Sequence, residues 1–274
     1  MDLPIFQIDA FTRDNATLFS GNPAAVIPLN AWLTEEQMQA IAAENNLSET
    51  TFFVRNDDTY TLRWFTPTNE VDLCGHATLA TAHVIHQVLG DQRTTLPMQC
   101  GVGPISVDVI NDGEEYALTF PRRMPDAVSG KRLKNKLSKL LGQPVVELYE
   151  SRDLIAVLEN EAAVRECQPD FAGLQTLEHF ALAITAPAES PERDFVSRFF
   201  APRQGIDEDP VTGSSFCSLA PLWQQKLDKA VLSAEQCSVR GGHVSLTCLE
   251  DSVRIAGTTF HYMQGVIRLP LAER

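Results

Sequence analysis

The chain has 274 residues, 44% of them hydrophobic and 21% charged, an ordinary globular composition with enough apolar material for a sizeable core. Its 22 Lys and Arg stand against 36 Asp and Glu, a formal charge of −14, which argues against the clustered positive field that nucleic acid requires. A small anionic ligand remains compatible with this charge, because a local pocket can oppose the global field.

The opening residues Met1 to Asp9 lack the basic flank and long apolar core of a secretory signal. No apolar run approaches the roughly 20 residues of a membrane helix. Six scattered cysteines (Cys74, Cys100, Cys167, Cys217, Cys237, Cys248) form no CxxC pair and no Cys/His ligand spacing. Reduced thiols in a cytoplasmic protein are expected, with no metal site and no membrane partner.

In chain order, Thr34-Glu35-Glu36-Gln37 is a capping-box pattern that opens a helix with Met38, Ile41 and Ala42 on one face. Asn45-Asn46 ends it, and Thr50 to Val54 is a β-prone run. Tyr60 to Phe65 alternates as a half-buried strand does. Cys74-Gly75-His76-Ala77-Thr78 opens a helix-like run of small residues that ends at Gly90. Ile105 to Ile110 and Tyr116 to Phe120 flank Asn111-Asp112-Gly113, a hairpin signal. Pro121 to Gly130 reads as a connection. Lys131 to Leu141 carries a leucine stripe under a lysine face, as in a surface helix covering a core. The residues from Thr258 to Leu269 close the chain as one or two strands.

These elements recur. Phe65-Thr66-Pro67, Gly75 and its helix, Gln99-Cys100 and the strand at Ile105 are matched, in order, by Phe200-Ala201-Pro202, Gly213 and its helix, Gln236-Cys237 and Val244 to Thr247, at separations of 135 to 139 residues. This predicts two similar α/β lobes, residues 1–120 and 121–259, with residues 260–274 packing back onto the first, and a site in the cleft between them.

The two glycine–helix junctions are the most informative places for chemistry. A helix start offers unpaired N–H groups and the positive end of the helix dipole, so Gly75 and Gly213 with Ser214 can receive a carboxylate without lysine or arginine. The same residues also fit tight turns and helix capping. Glu49, entering an apolar strand, fits either a partly desolvated acid/base or an exposed loop glutamate. His76 fits a proton donor or a structural histidine, and Asp209 before Pro210 a site carboxylate or a turn. A two-thiol racemase is disfavoured, because aligning Gly75 with Gly213 sets Thr212, not a cysteine, opposite Cys74.

Phe11-Thr12, Gly21-Asn22-Pro23-Ala24-Ala25-Val26, Leu47-Ser48-Glu49-Thr50, Arg63-Trp64-Phe65-Thr66-Pro67, Leu73-Cys74-Gly75-His76-Ala77-Thr78 and Glu208-Asp209-Pro210-Val211-Thr212-Gly213-Ser214 together resemble the phenazine-biosynthesis PhzF-like family. The resemblance implies a diaminopimelate-epimerase-like fold, α/β (α+β), in which each of two pseudo-symmetric lobes is a curved, mostly antiparallel sheet around a central helix. It implies a cofactor-independent isomerase, commonly a homodimer, that moves a proton between carbons of a small carboxylate-bearing substrate. Carried over, Glu49 is the general acid/base and His76 and Asp209 are its polar partners. Gly75, Gly213 and Ser214 surround the substrate, with Asn22 beside them. The alternatives are an amino-acid epimerase, for which Asp209 would be the second acid/base, and a non-catalytic small-molecule-binding protein with an inherited cleft.

Overall fold

A computed structural model describes residues 1–13 and 19–269. The chain divides into two compact units, Met1–Leu118 with the chain from Ala256 onward, and Thr119–Ile255. Residues 270–274 of the expected returning segment lie outside the described residues.

The first unit contains strands β1 (Asp2–Ala10), β2 (Asn22–Leu29), β3 (Glu49–Asn56), β4 (Thr59–Phe65), β5 (Glu70–Val71), β6 (Thr95–Cys100), β7 (Gly103–Ile110) and most of β8 (Glu115–Pro121), with helices α1 (Glu35–Asn45) and α2 (Gly75–His83). The second contains the short β9 (Asp126–Ala127), β10 (Val145–Glu150), β11 (Leu154–Leu158), β12 (Leu182–Pro187), β13 (Phe195–Ala201), β14 (Ile206–Asp209), β15 (Val231–Gln236) and β16 (Gly242–Cys248). Its helices are α3 (Lys131–Leu141), α4 (Glu161–Arg165), α5 (Phe171–Leu174) and α6 (Phe216–Leu227). The closing segment is one strand, β17 (Ser252–Arg268), whose later part pairs antiparallel with β1 across a bulge at Gln7/Ile8.

The internal repeat is visible in the strand pairing. In the first unit β1–β2 is antiparallel, β2–β3 parallel, β3–β4 and β4–β5 antiparallel, β4–β6 parallel and β6–β7 antiparallel. The second unit repeats that order through β10–β11, β11–β12, β12–β13, β13–β14, β13–β15 and β15–β16.

Each unit buries one helix. In α2 every residue from His76 to Ala82 is buried, and small side chains let the strands approach closely. Its buried hydroxyls are satisfied locally, Thr78 on the Cys74 carbonyl and Thr81 on that of Ala77. In α6 the run Phe216 to Trp223 is buried, and the indole of Trp223 stacks on Phe195 while donating to Thr185. Burying each large apolar side chain contributes roughly 1.5–3 kcal/mol, so these helices anchor their units. The capping box forms as its sequence indicates, with Thr34 Oγ1 accepting from Gln37 N and Thr34 N donating to Gln37 Oε1. Asn46 ends α1 in the left-handed conformation. Helix α3 lays Leu137 and Leu141 into the core of its unit, with Leu133 and Leu140 at the margin. No helix among the described residues is long and apolar enough to cross a membrane.

Beyond α2 the helix widens into a π turn, Val84–Val88. At this end His83 Nδ1 lies 2.8 Å from Thr259 Oγ1, and its ring meets His261 edge-on and tilts against Tyr116. Burial, with His261 and His86 nearby, lowers the His83 pKa to about 4. Between about pH 6.5 and 4 the unfolded chain protonates this residue and the native protein does not, so native stability falls with pH across that window by up to about 3 kcal/mol. Urea unfolding at a series of pH values tests this: His83→Asn, which can keep a contact to Thr259, should flatten the decline relative to the parent. An unchanged slope would refute it.

Candidate active site

The first unit gathers Asn22, Ser48, Glu49, Cys74 and His76. Asn22 opens β2, Glu49 opens β3, and these strands run parallel with Ala24 opposite Glu49, so both residues lie at the same strand ends. Gly21 delivers Asn22 there in a left-handed conformation (φ +77°), and a Cβ at this glycine would lie 2.4 Å from the Ala10 carbonyl oxygen. His76 occupies the first turn of α2, directly after Gly75. Cys74 precedes that turn in extended conformation, and no side chain caps the helix start.

His76 Nε2 stands 3.0 Å from Glu49 Oε2. The contact lies off the line of a direct hydrogen bond, and neither atom has another hydrogen-bond partner among the described residues. The His76 ring is 7% and the Glu49 side chain 13% exposed, so little water screens the pair. At the opposite ring edge, Nδ1 is 3.3 Å from Asn22 Nδ2 and 3.5 Å from Cys74 Sγ. Ser48 Oγ donates to Asn22 Oδ1 at 3.1 Å, which leaves the Asn22 NH2 facing the imidazole. A neutral ring accepts from Asn22 at Nδ1 and therefore carries its proton on Nε2, toward Glu49. When the ring is charged, the Cys74 sulfur is within reach of its Nδ1–H.

Burial works against the imidazolium, but Cys74 and Glu49 outweigh it and hold the His76 pKa well above the ordinary histidine range. Burial and then the Glu49 carboxylate push the Cys74 thiol up. Glu49, Cys74 and His76 are the one group of three potential metal ligands among the described residues, their donor atoms within 4.8 Å of one another. His76 turns opposite ring nitrogens toward Cys74 and Glu49.

The second unit gathers Asp209, Gly213 and Ser214. Asp209 ends β14, and Thr212 Oγ1 donates to its Oδ2. Gln236, fully buried at the end of β15, donates to the Asp209 carbonyl at 2.7 Å and accepts the Thr212 N–H at 2.9 Å, which ties down this loop. Gly213–Ser215 form a 3-10 turn that leads into α6, and Ser214 Oγ accepts from Arg152 Nη2 at 3.1 Å.

Register aligns the two units residue by residue. Thr50 pairs with Phe65 and with Ala25; Leu182 pairs with Phe200 and with Leu154. With the two Phe-x-Pro motifs superposed, Glu49 corresponds to Ala181, Asn22 to Ser151, and, through the glycines, Cys74 to Thr212 and His76 to Ser214. The Asn22, Glu49, Cys74 and His76 set of the first unit has no copy in the second. Sequence reasoning passed over three residues here. Ser48 stood inside the Leu-Ser-Glu-Thr block and Gln236 inside the repeated Gln-Cys pair, whereas Arg152 had no motif to mark it.

Residues 8–265 match the family model described as phenazine biosynthesis-like protein. An uncharacterized isomerase of Pseudomonas aeruginosa is 46% identical over 270 residues, covering 98% of this chain and 100% of the relative. The crystal structure of a PhzF-family phenazine biosynthesis protein from Enterococcus faecalis is similar at 41% identity and a TM-score of 0.93, covering 98% of this chain and 100% of that one. A probable proline racemase from Agrobacterium radiobacter shares the fold alone, at 9% identity and a TM-score of 0.60 over 98% of this chain and 93% of that one. The mixed α/β fold is thus the one shared by PhzF proteins and the epimerase-like racemases, and the chain belongs to the phenazine biosynthesis-like protein family.

Proposed function

We propose that this protein is an isomerase that moves a proton between carbons of a small carboxylate-bearing substrate, with Glu49 as the general acid/base and no added cofactor. The observation that carries the reading is the largely buried 3.0 Å approach of His76 Nε2 to Glu49 Oε2. Oε2 faces the imidazole, so Oε1 is the oxygen left to meet a substrate carbon. A C–H bond conjugated to a carboxylate breaks, its proton passes to Glu49 and its electron pair spreads toward that carboxylate. The same proton then returns to another carbon. His76 stabilises the glutamate anion before and after transfer, and the chain Ser48–Asn22–His76 keeps the ring aimed. Gly75, Gly213 and Ser214 are proposed as donors for the developing charge, and Asp209, oriented by Thr212, as a polar partner.

The epimerase alternative needs a second base. Ala181 stands where duplication would have repeated Glu49, and Thr212 where it would have repeated Cys74. This favours a single carboxylate that both takes and returns the proton. Six free, buried cysteines support a reducing, cytoplasmic setting, and the family resemblance favours a homodimeric working form.

Solvent exchange tests the proposal. In D2O, deuterium should enter a turned-over conjugated acid at a C–H position, and Glu49→Gln should slow this by about 10²-fold or more, the scale of general acid–base catalysis. Exchange at the parental rate in the variant would overturn it. Asn22→Ala leaves Ser48 Oγ and His76 Nδ1 without their shared partner, so stability should drop by about 1–3 kcal/mol. At a pH high enough to leave the ring neutral, the ¹⁵N shifts of His76 should then show a mixture of tautomers; an unaltered Nε2–H ring would show that Asn22 does not set it.

A further inference from the structure

The second unit holds a guanidinium at the position corresponding to Pro23, two residues ahead of the aligned Ala25/Leu154 pair. Arg152 donates through Nε to Asp153 Oδ1 at 2.9 Å and through Nη2 to Oδ2 at 2.7 Å. Asp153 is 3% exposed, so the fork is pinned from below by a buried carboxylate. The guanidinium lies over the ring of Phe180, 4.9 Å from its centroid, which holds the plane from the side. Nη2 also reaches Ser214 Oγ at 3.1 Å, while Nη1 has no hydrogen-bond partner among the described residues. About a third of the Arg152 side chain is exposed.

These contacts form around the counterpart of the acid–base site. Ser214 corresponds to His76, Phe180 to Ser48, and Ala181 to Glu49. Where the first unit carries a carboxylate beside an imidazole, the second carries a methyl group beside a hydroxyl and a fixed guanidinium with unused N–H donors.

We propose that Arg152 and Ser214 form an anion subsite that binds the carboxylate of the substrate, with Phe180 and Asp153 holding the guanidinium in place. The assignment rests on the isomerase reading only for calling that carboxylate the substrate's; binding itself is independent of Glu49.

The test uses the full-length protein and ligand-observed NMR titrations with benzoate, its neutral analogue benzamide, and inorganic phosphate. Benzoate should bind saturably, more tightly than benzamide. Arg152→Gln should weaken benzoate by about tenfold or more with benzamide unchanged, the loss expected of one charge-assisted contact. Because Arg152→Gln leaves Asp153 unpaired, Arg152→Gln/Asp153→Asn is run beside it and should show the same selective loss. Glu49→Gln should retain benzoate affinity even where it abolishes exchange, which separates failure of this subsite from failure of the isomerase reading. Benzoate affinity within twofold of the parent in both arginine variants, absent benzoate binding in the parent, or a preference for phosphate would each overturn the proposal.

Discussion

The candidate chemistry depends on one ring held between two partners of unlike kind. His76 turns one nitrogen to the Glu49 carboxylate and the other to an amide and a thiol, all in a nearly dry setting. In water such contacts would be worth little. With few solvent dipoles to compete, each orients the next, and the Ser48 hydroxyl two steps away favours the Nε2–H form whenever the ring is neutral. Gly21, the uncapped start of α2 and the parallel start of β2 and β3 serve to bring these groups to one spot.

Much of this was legible in the sequence for identifiable reasons. The capping box and left-handed Asn46 obey local rules, so α1 could be read from eleven residues and their flanks. The repeat could be read because Phe-x-Pro, glycine and Gln-Cys each occupy a position the strand pairing constrains. Glu49 and His76 stood in recognisable blocks, and the structure sets them side by side. What stayed hidden is long-range. Asn22 and His76 are separated by 54 residues, and Arg152 and Ser214 by 62, so no local pattern joins them. The expectation that helix starts alone would receive an anion contained no cation for the same reason. Strands β1 and β2 escaped the alternation rule because both faces of the sheet are largely covered, leaving near-continuous buried runs.

Duplicated side chains did not keep duplicated tasks. Gln236 is fully buried and fastens the Asp209–Thr212 loop, while its repeat Gln99 is exposed and donates to its neighbour's carbonyl. Backbone pairing is retained across the two units, yet the side chains at the positions aligned with Asn22, Ser48, Glu49, Cys74 and His76 all differ.

That separation between framework and cargo follows from where register is stored. The ladder is specified by the apolar faces of β2 to β4 and β11 to β13, whereas the candidate site residues sit at strand entrances and helix tips, at the ends of that ladder. Such positions can drift independently: a lineage can exchange its acid, its receptor for charge or its aromatic brace in either half while the inherited ladder endures. A scaffold doubled in this way offers two sets of such positions, one in each unit, on a single inherited ladder.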